Sequence, residues 1–387
     1  MLGVKSHMDF VRYCINEQQC VPAIKSWDAL FLFMQQQALV GIGFSGLERL
    51  KAAEVEVPRD IVLQWYAMSE QIRQRNVEMN KKCVELTEML RKDGFHSCIL
   101  KGQGNALLYD VRCERGEGRS MSFLRQPGDI DLLVDGDKKN IIKYVKQRYP
   151  QAKVAYQHID YPVFKDVEVE LHYLPTYLNN PIYNLRLKKW YKTQTDIFSN
   201  YVELPDGQGE IPVPTGDFNV VFQLAHMMHH FFDEGIGLRQ MIDYYFLLKS
   251  GNNNQVQGSR FKDYGQLTVQ GSRFKVYGSI ESLEETLKYL NLYNFAGAVM
   301  YIMKEVLGLE EQYLIVPVDD KRGETLLKEI LRGGNFGKYS GLDQNNAAKK
   351  YFQKTWRNMQ LVKEYPAEAL CEPFFRTWHF FWRVMHS

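Results

Sequence analysis

Apolar residues between Pro58 and Gly94 recur at Ile61, Trp65, Met68, Ile72, Met79, Cys83, Leu86 and Leu90. Steps of three, four and seven put them on one helical face, so the pattern predicts a single helix with Pro58 in its first turn and Gly94 at its C-cap. At 1.5 Å per residue it is about 50 Å long, enough to brace two domains against each other. Residues 1–94 as a whole read as helical. From Phe95 the period shortens to two. Strands are expected at 96–101, 129–134, 153–157, 161–165 and 167–173, with helices at 105–109 and 138–148 and a long polar loop at 110–128. This is a mixed α/β unit of roughly 100 residues, an ordinary domain size. After Pro212 and Pro214 helical periodicity returns at 217–232 and 238–249 and continues to the C-terminus.

The expected organisation is therefore α+β, with an N-terminal helical region (1–94), a mixed core (95–212) and a C-terminal helical region (213–387). The last contains an insertion at about 250–280, where Val256-Gln-Gly-Ser-Arg-Phe-Lys is repeated from Val269; two copies are too few for a solenoid. Ser282-Leu-Glu-Glu285 has the form of a capping box. A stripe of Phe374, Phe375, Trp378, Phe381, Trp382 and Met385 near the C-terminus is expected to dock on the helical body, with a protein partner surface or an interfacial helix as the alternatives.

Composition narrows the class. The chain has 387 residues, 45% hydrophobic and 24% charged, which excludes disordered and collagenous proteins. A net charge of +2 gives no global field for nucleic acid or an anionic membrane. The six cysteines (Cys14, Cys20, Cys83, Cys98, Cys113 and Cys371) form no CxxC pair and fit free thiols in a reducing compartment. No run of 18 apolar residues occurs, and the first residues lack a basic end followed by an apolar run. The expected location is the cytoplasm.

Chemistry concentrates in three places. In Gly128-Asp129-Ile130-Asp131-Leu132-Leu133-Val134, strand alternation puts Asp129 and Asp131 on one face and apolar residues on the other. Two carboxylates about 7 Å apart repel each other unless a cation sits between them, and Mg²⁺ prefers carboxylate and phosphate oxygens. In Val167-Glu168-Val169-Glu170-Leu171-His172, Glu168, Glu170 and His172 share a face, so a strand beside the first would add a third carboxylate. Upstream, Lys101-Gly102-Gln103-Gly104 follows a strand and opens a helix, a place where backbone N–H groups meet phosphates. The loop after it carries Arg112, Arg115, Arg119 and Arg125, and Arg125, nearest the acidic strand, is its best phosphate-contacting candidate. His226, His229 and His230 lie on one helix, with 226 and 230 at a spacing that zinc ligands use. Gly333-Gly-Asn-Phe-Gly337 reads as a helix C-cap and turn.

Taken together, Lys101-Gly102, Gly128-Asp129-Ile130-Asp131-Leu-Leu-Val134 and Glu170-Leu-His172 resemble the nucleotidyltransferase-fold superfamily, which includes polymerase-beta-like and aminoglycoside-type enzymes, and within it the uncharacterised bacterial nucleotidyltransferases. The resemblance covers about 95–175 and runs more loosely through His226, the Arg239–Asp243 helix and Gly333–Gly337. It implies transfer of a nucleoside monophosphate from an NTP to an acceptor hydroxyl with two Mg²⁺ ions. Asp129, Asp131 and Glu170 would be the metal-binding and catalytic acids, Glu170 able to take the acceptor proton. Lys101, Gly102, Gln103 and Arg125 would bind the nucleotide, and His172, His226 and Arg239 would border the acceptor. Gln103 stands where the superfamily usually has Ser or Gly, the feature favouring an alternative, a catalytically inactive binding module of the same fold. A His-cluster metal hydrolase is the second alternative.

Overall fold

The structure is a computed structural model that describes residues 2–16, 20–112, 120–194, 197–250, 273–276, 279–343 and 345–386. Three helices, α1 (Leu2–Ile15), α2 (Trp27–Gln36) and α3 (Val40–Ala52), precede the long α4 (Arg59–Lys92). The apolar stripe on α4 is buried along its length except for Met68, which is half-buried. Its two halves serve different cores. Ile61, Trp65 and Ile72 pack with α1–α3 and the C-terminal helices, whereas Met79, Cys83, Leu86 and Leu90 pack under the sheet. One continuous helix thus runs through both apolar interiors, each fully buried large side chain contributing about 1.5–3 kcal/mol.

The mixed core follows. It comprises β1 (Ser97–Ile99), a one-turn α5 (Gln103–Ala106) continued by a 3₁₀ segment (Leu107–Arg112), β2 (Ile130–Val134), α6 (Lys138–Arg148), β3 (His158–Asp160) and β4 (Val169–His172). The sheet order is β1-β2-β4-β3, with β2 and β4 parallel and the outer pairings antiparallel. Ile130, Leu132, Val134, Ile159, Val169 and Leu171 face α4 and α6, leaving the alternate positions for the opposite face. Beyond it come α7 (Pro181–Thr193), the hairpin β5 (Tyr201–Glu203) and β6 (Glu210–Pro212), and the buried pair α8 (Gly216–Asp233) and α9 (Leu238–Ser250). The described end of the repeat-bearing insertion is a hairpin, β7 (Arg273–Val276) and β8 (Ser279–Ser282). Helices α10 (Leu283–Tyr289), α11 (Tyr293–Tyr301), α12 (Asp320–Gly333), α13 (Ala347–Gln360) and α14 (Pro366–His386) complete an α+β architecture with helical flanks. Among the described residues no helix is long and apolar enough to cross a membrane.

Three expectations shift. The strands expected at 153–157 and 161–165 are replaced by β3 between them, at the residues read as a turn; Val154 contributes only an isolated bridge to Ile159. Pro162 has no N–H to donate, so pairing stops after Tyr161 N donates to Val169 O. The helix expected at 105–109 starts earlier and tightens to 3₁₀. The C-terminal stripe divides: Phe375, Trp378 and Trp382 pack edge-on around Tyr156, while Phe374, Phe381 and Met385 are exposed. Cys113, the loop residues Glu114, Arg115, Glu117 and Arg119, and most of the 256–278 repeat lie outside the described residues.

Candidate active site

The sheet face turned from the core is a grid of polar side chains. Parallel pairing sets Asp131 opposite Glu170, and antiparallel pairing sets Asp160 opposite Glu170 on the other side. Two residues further along the strands, His172 pairs with His158. Asp129 precedes β2 by one residue and shares the face of Asp131. Asp129, Asp131 and Glu170 each bring a carboxylate oxygen within 4.8 Å of the other two, a separation that divalent-cation ligands adopt. Glu168 is exposed and takes no part in this group.

Neighbouring side chains balance these charges. Lys101 Nζ lies 3.0 Å from Asp131 Oδ2, and His172 Nε2 lies 3.0 Å from Asp131 Oδ1 and 3.1 Å from Glu170 Oε2. Burial alone would raise the Asp131 carboxyl, but the Lys101 ammonium and His172 hold it well below the usual range. Burial opposes ionisation of Glu170 too, yet His158 and His172 bring it down to about 2. In return, although burial alone would lower it, His172 is pushed up to about 9 by the two carboxylates. Asp129 is exposed and shifted upward, first by the Asp131 charge and then by desolvation. Of the three acids it is the one that most needs a cation.

The turn after β1 lies alongside. Gly102 has φ +60° and ψ −110°, a conformation that side-chain-bearing residues avoid, and a Cβ there would stand 3.6 Å from Asp129 O. The turn therefore brings backbone against the acidic strand. Gln103 is 3% exposed, and its amide donates to Asn80 Oδ1 on α4. Its side chain is directed to α4 and is not part of the cleft lining. Lys101 instead faces the cleft, its Nζ 3.2 Å from His226 Nε2 on α8. Burial, then the Lys101 charge, holds His226 well below its ordinary value, so it is neutral, and its Nδ1 has no hydrogen-bond partner.

Two arginines border the same cleft in different ways. Arg125 forms a bidentate pair with Asp243 of α9, both contacts 2.7 Å, and Tyr109 Oη donates to the same carboxylate at 2.7 Å. Its backbone is fixed by Asn76 Nδ2 of α4, which donates to Arg125 O. Arg239 donates one bond, from Nη1 to Gln126 O at 3.0 Å, while its buried Nε has no partner and the guanidinium lies 5.3 Å from the Phe336 ring centroid. Burial and the nearby Arg125 lower Arg239 to about 10, so it keeps its charge. The cleft thus gathers Lys101, Gly102, Arg125, Asp129, Asp131, His226 and Arg239, with Phe336 as a wall. His172 reaches the group through Asp131 and Glu170.

His229 and His230 form no metal-ligating group with His226. Among the described residues the clusters of His, Cys, Asp and Glu able to hold an ion are Asp129–Asp131–Glu170 and His158–Glu170–His172. His158 and Asp160 were not singled out from sequence; Asp243 and Phe336 were quoted only within the Arg239–Asp243 and Gly333–Gly337 segments, with no role at the site. The period-two spacing of His158-Ile-Asp160 was the available signal for the first two.

A family model described as an uncharacterised nucleotidyltransferase matches residues 25–264, more than half the chain. The chain belongs to this nucleotidyltransferase family. No curated protein and no solved structure matches it. The matched span contains both acidic strands, the Gly102 turn and the α8–α9 pair, but not the loosely similar Gly333–Gly337 segment. Phe336 and α14 lie beyond it.

Proposed function

We propose that this protein transfers a nucleoside monophosphate from an NTP to a hydroxyl group of an acceptor. One observation carries the reading: the β2–β4 register converges Asp129, Asp131 and Glu170 beside a glycine turn whose cleft also holds Lys101 and Arg239. Asp129, Asp131 and Glu170 would hold Mg²⁺, two ions in the superfamily pattern. Bound there, the metal supplies charge neutralisation at the phosphates and at the attacking and leaving oxygens.

The chain's own groups do the rest. The backbone of Gly102 and Gln103 approaches the triphosphate, and Lys101, already poised beside Asp131, neutralises a phosphate oxygen. Arg239 has an unpartnered N–H for another, the kind of charge-assisted bond that fixes orientation. Arg125 acts through Asp243 as a brace. Glu170, its carboxyl held below the usual range by His158 and His172 against burial, serves as a ligand. His226 and His172 border the acceptor side, and a net charge of +2 offers little to a nucleic-acid acceptor.

The test follows phosphorus. The protein is incubated with each NTP, Mg²⁺ and a small-molecule cell extract, and products are read by ³¹P NMR. Release of pyrophosphate, with a new phosphodiester resonance, is the expected result. Release of orthophosphate alone would replace monophosphate transfer with hydrolysis of the terminal phosphate.

A further inference from the structure

Glu170 belongs to two ligand groups at once, and the second contains imidazoles. His158 Nδ1 lies 3.0 Å and His172 Nε2 3.1 Å from Glu170 Oε2, and all three donor atoms fall within 4.8 Å of one another. Two ligands each about 2.1 Å from a shared metal stand about 3.0 Å apart at right angles and about 3.4 Å apart at the tetrahedral angle. The observed separations lie at the short end of that range, which direct N–H···O contacts also span.

The imidazoles carry a second, independent sign. His158 Nδ1 is buried and makes no hydrogen bond, although it stands 3.0 Å from the Glu170 carboxylate. The two atoms meet off the hydrogen-bonding direction, as ligands of a common third atom do. The far nitrogens are also accounted for. His158 Nε2 faces Asp160 Oδ1 at 3.6 Å, and His172 Nδ1 lies 3.3 Å from Leu174 O. An outer carboxylate or carbonyl behind each ring is how metal-bound histidines are oriented; the inner His172 Nε2 is shared between Asp131 Oδ1 and Glu170 Oε2, contacts that an ion would replace. The cross-strand pairs His158–His172 and Asp160–Glu170 build this arrangement from the sheet register alone.

We infer that His158, Glu170 and His172 form a distinct metal site for a divalent transition cation of the Zn²⁺/Co²⁺ class, sharing Glu170 with the all-carboxylate group. Imidazole nitrogen favours such cations over Mg²⁺, which prefers oxygen alone. The inference rests on the proposed nucleotidyl-transfer reading only for the role of the neighbouring Asp129–Asp131–Glu170 site.

The experiment is a Co²⁺ titration of chelator-treated, nucleotide-free full-length protein followed by visible absorption. The wild-type protein should take up Co²⁺ with the spectrum of a mixed nitrogen–oxygen site. His158→Gln should weaken that uptake at least about 10-fold, and Asp160→Asn, which alters only the outer partner, by about 10-fold. Circular dichroism confirms folding, and His158 lies on the outermost strand, so this variant stays usable if His172→Gln does not fold. No Co²⁺ spectrum, or one unchanged in His158→Gln and lost in Asp129→Asn, would overturn the inference. Because no nucleotide is present, failure here is separable from failure of NTP binding, which would leave Co²⁺ uptake intact.

Discussion

Arg125 and Arg239 show how far a single residue's role depends on partners distant in sequence. Both are buried and both border the cleft, yet Arg125 is spent on Asp243, 118 positions away, while Arg239 keeps an N–H unpartnered. Position beside the acidic strand singled out Arg125 from sequence; only the fold reveals that its guanidinium is already paired. The two should therefore fail differently. Arg125→Gln leaves Asp243 buried without its counter-charge and should cost about 3–5 kcal/mol of stability by chemical denaturation. Arg239→Gln should leave stability nearly unchanged and weaken NTP binding roughly 10- to 100-fold, the scale of one or two charge-assisted bonds. Matching stability losses in both variants would make Arg239 a structural residue too. Gln103 carries the same lesson. Its direction is set by Asn80, a polar residue within the otherwise apolar seam of α4, and Asn76 on that seam holds Arg125 O. Neither asparagine was singled out from sequence, where the stripe read as continuous, and their partners are distant along the chain.

At the scale of elements, long periodic segments were legible and short ones were not. The period of α4 and the alternation in β2 follow from burial on one face, so the sequence records them directly. The three-residue β3 owes its existence to pairing with β4 and leaves only the period-two spacing of His158-Ile159-Asp160 as a local trace, so His158 and Asp160 were missed. Pairing between α14 and the start of α7 is equally non-local, and it offers a pH test. Glu368 on α14 is buried and accepts hydrogen bonds from Asn179 N at 2.7 Å and Asn180 N at 3.2 Å. Those bonds favour its charged form, but burial dominates and pushes it up to about 7 from an ordinary 4.5. Its folded value is raised, so the folded chain binds more protons between these values. Its contribution is complete below about 4.5 and is lost as pH rises through about 7. The change is on the order of 3 kcal/mol. Denaturation at pH 5 and pH 8 should show that loss in the wild-type protein and a smaller one in Glu368→Gln. Equal losses in the two proteins would place the titrating group elsewhere.

Across the whole molecule, one helix passes through both apolar cores, and the polar face of the sheet meets α8 and α9 across a cleft lined by cations and carboxylates. The acidic strand and the α+β class were recoverable from residue periodicity and the glycine turn from residue type; Phe336 was read only as part of the Gly333–Gly337 turn, and its place as the closing wall was hidden because it arrives from about 200 residues downstream. The central claim is that Asp129, Asp131 and Glu170 bind an NTP through Mg²⁺. Asp129 is the sharpest probe, being exposed and outside the Lys101–Asp131 and His172–Asp131 pairs that stabilise the metal-free site. Calorimetric titration of a non-hydrolysable NTP analogue, with and without Mg²⁺, into wild-type protein and Asp129→Asn tests it most directly. Binding should require Mg²⁺ and weaken at least about 10-fold in Asp129→Asn, with an unchanged melting temperature. Equal affinity with and without Mg²⁺, or in the variant and the wild type, would contradict it.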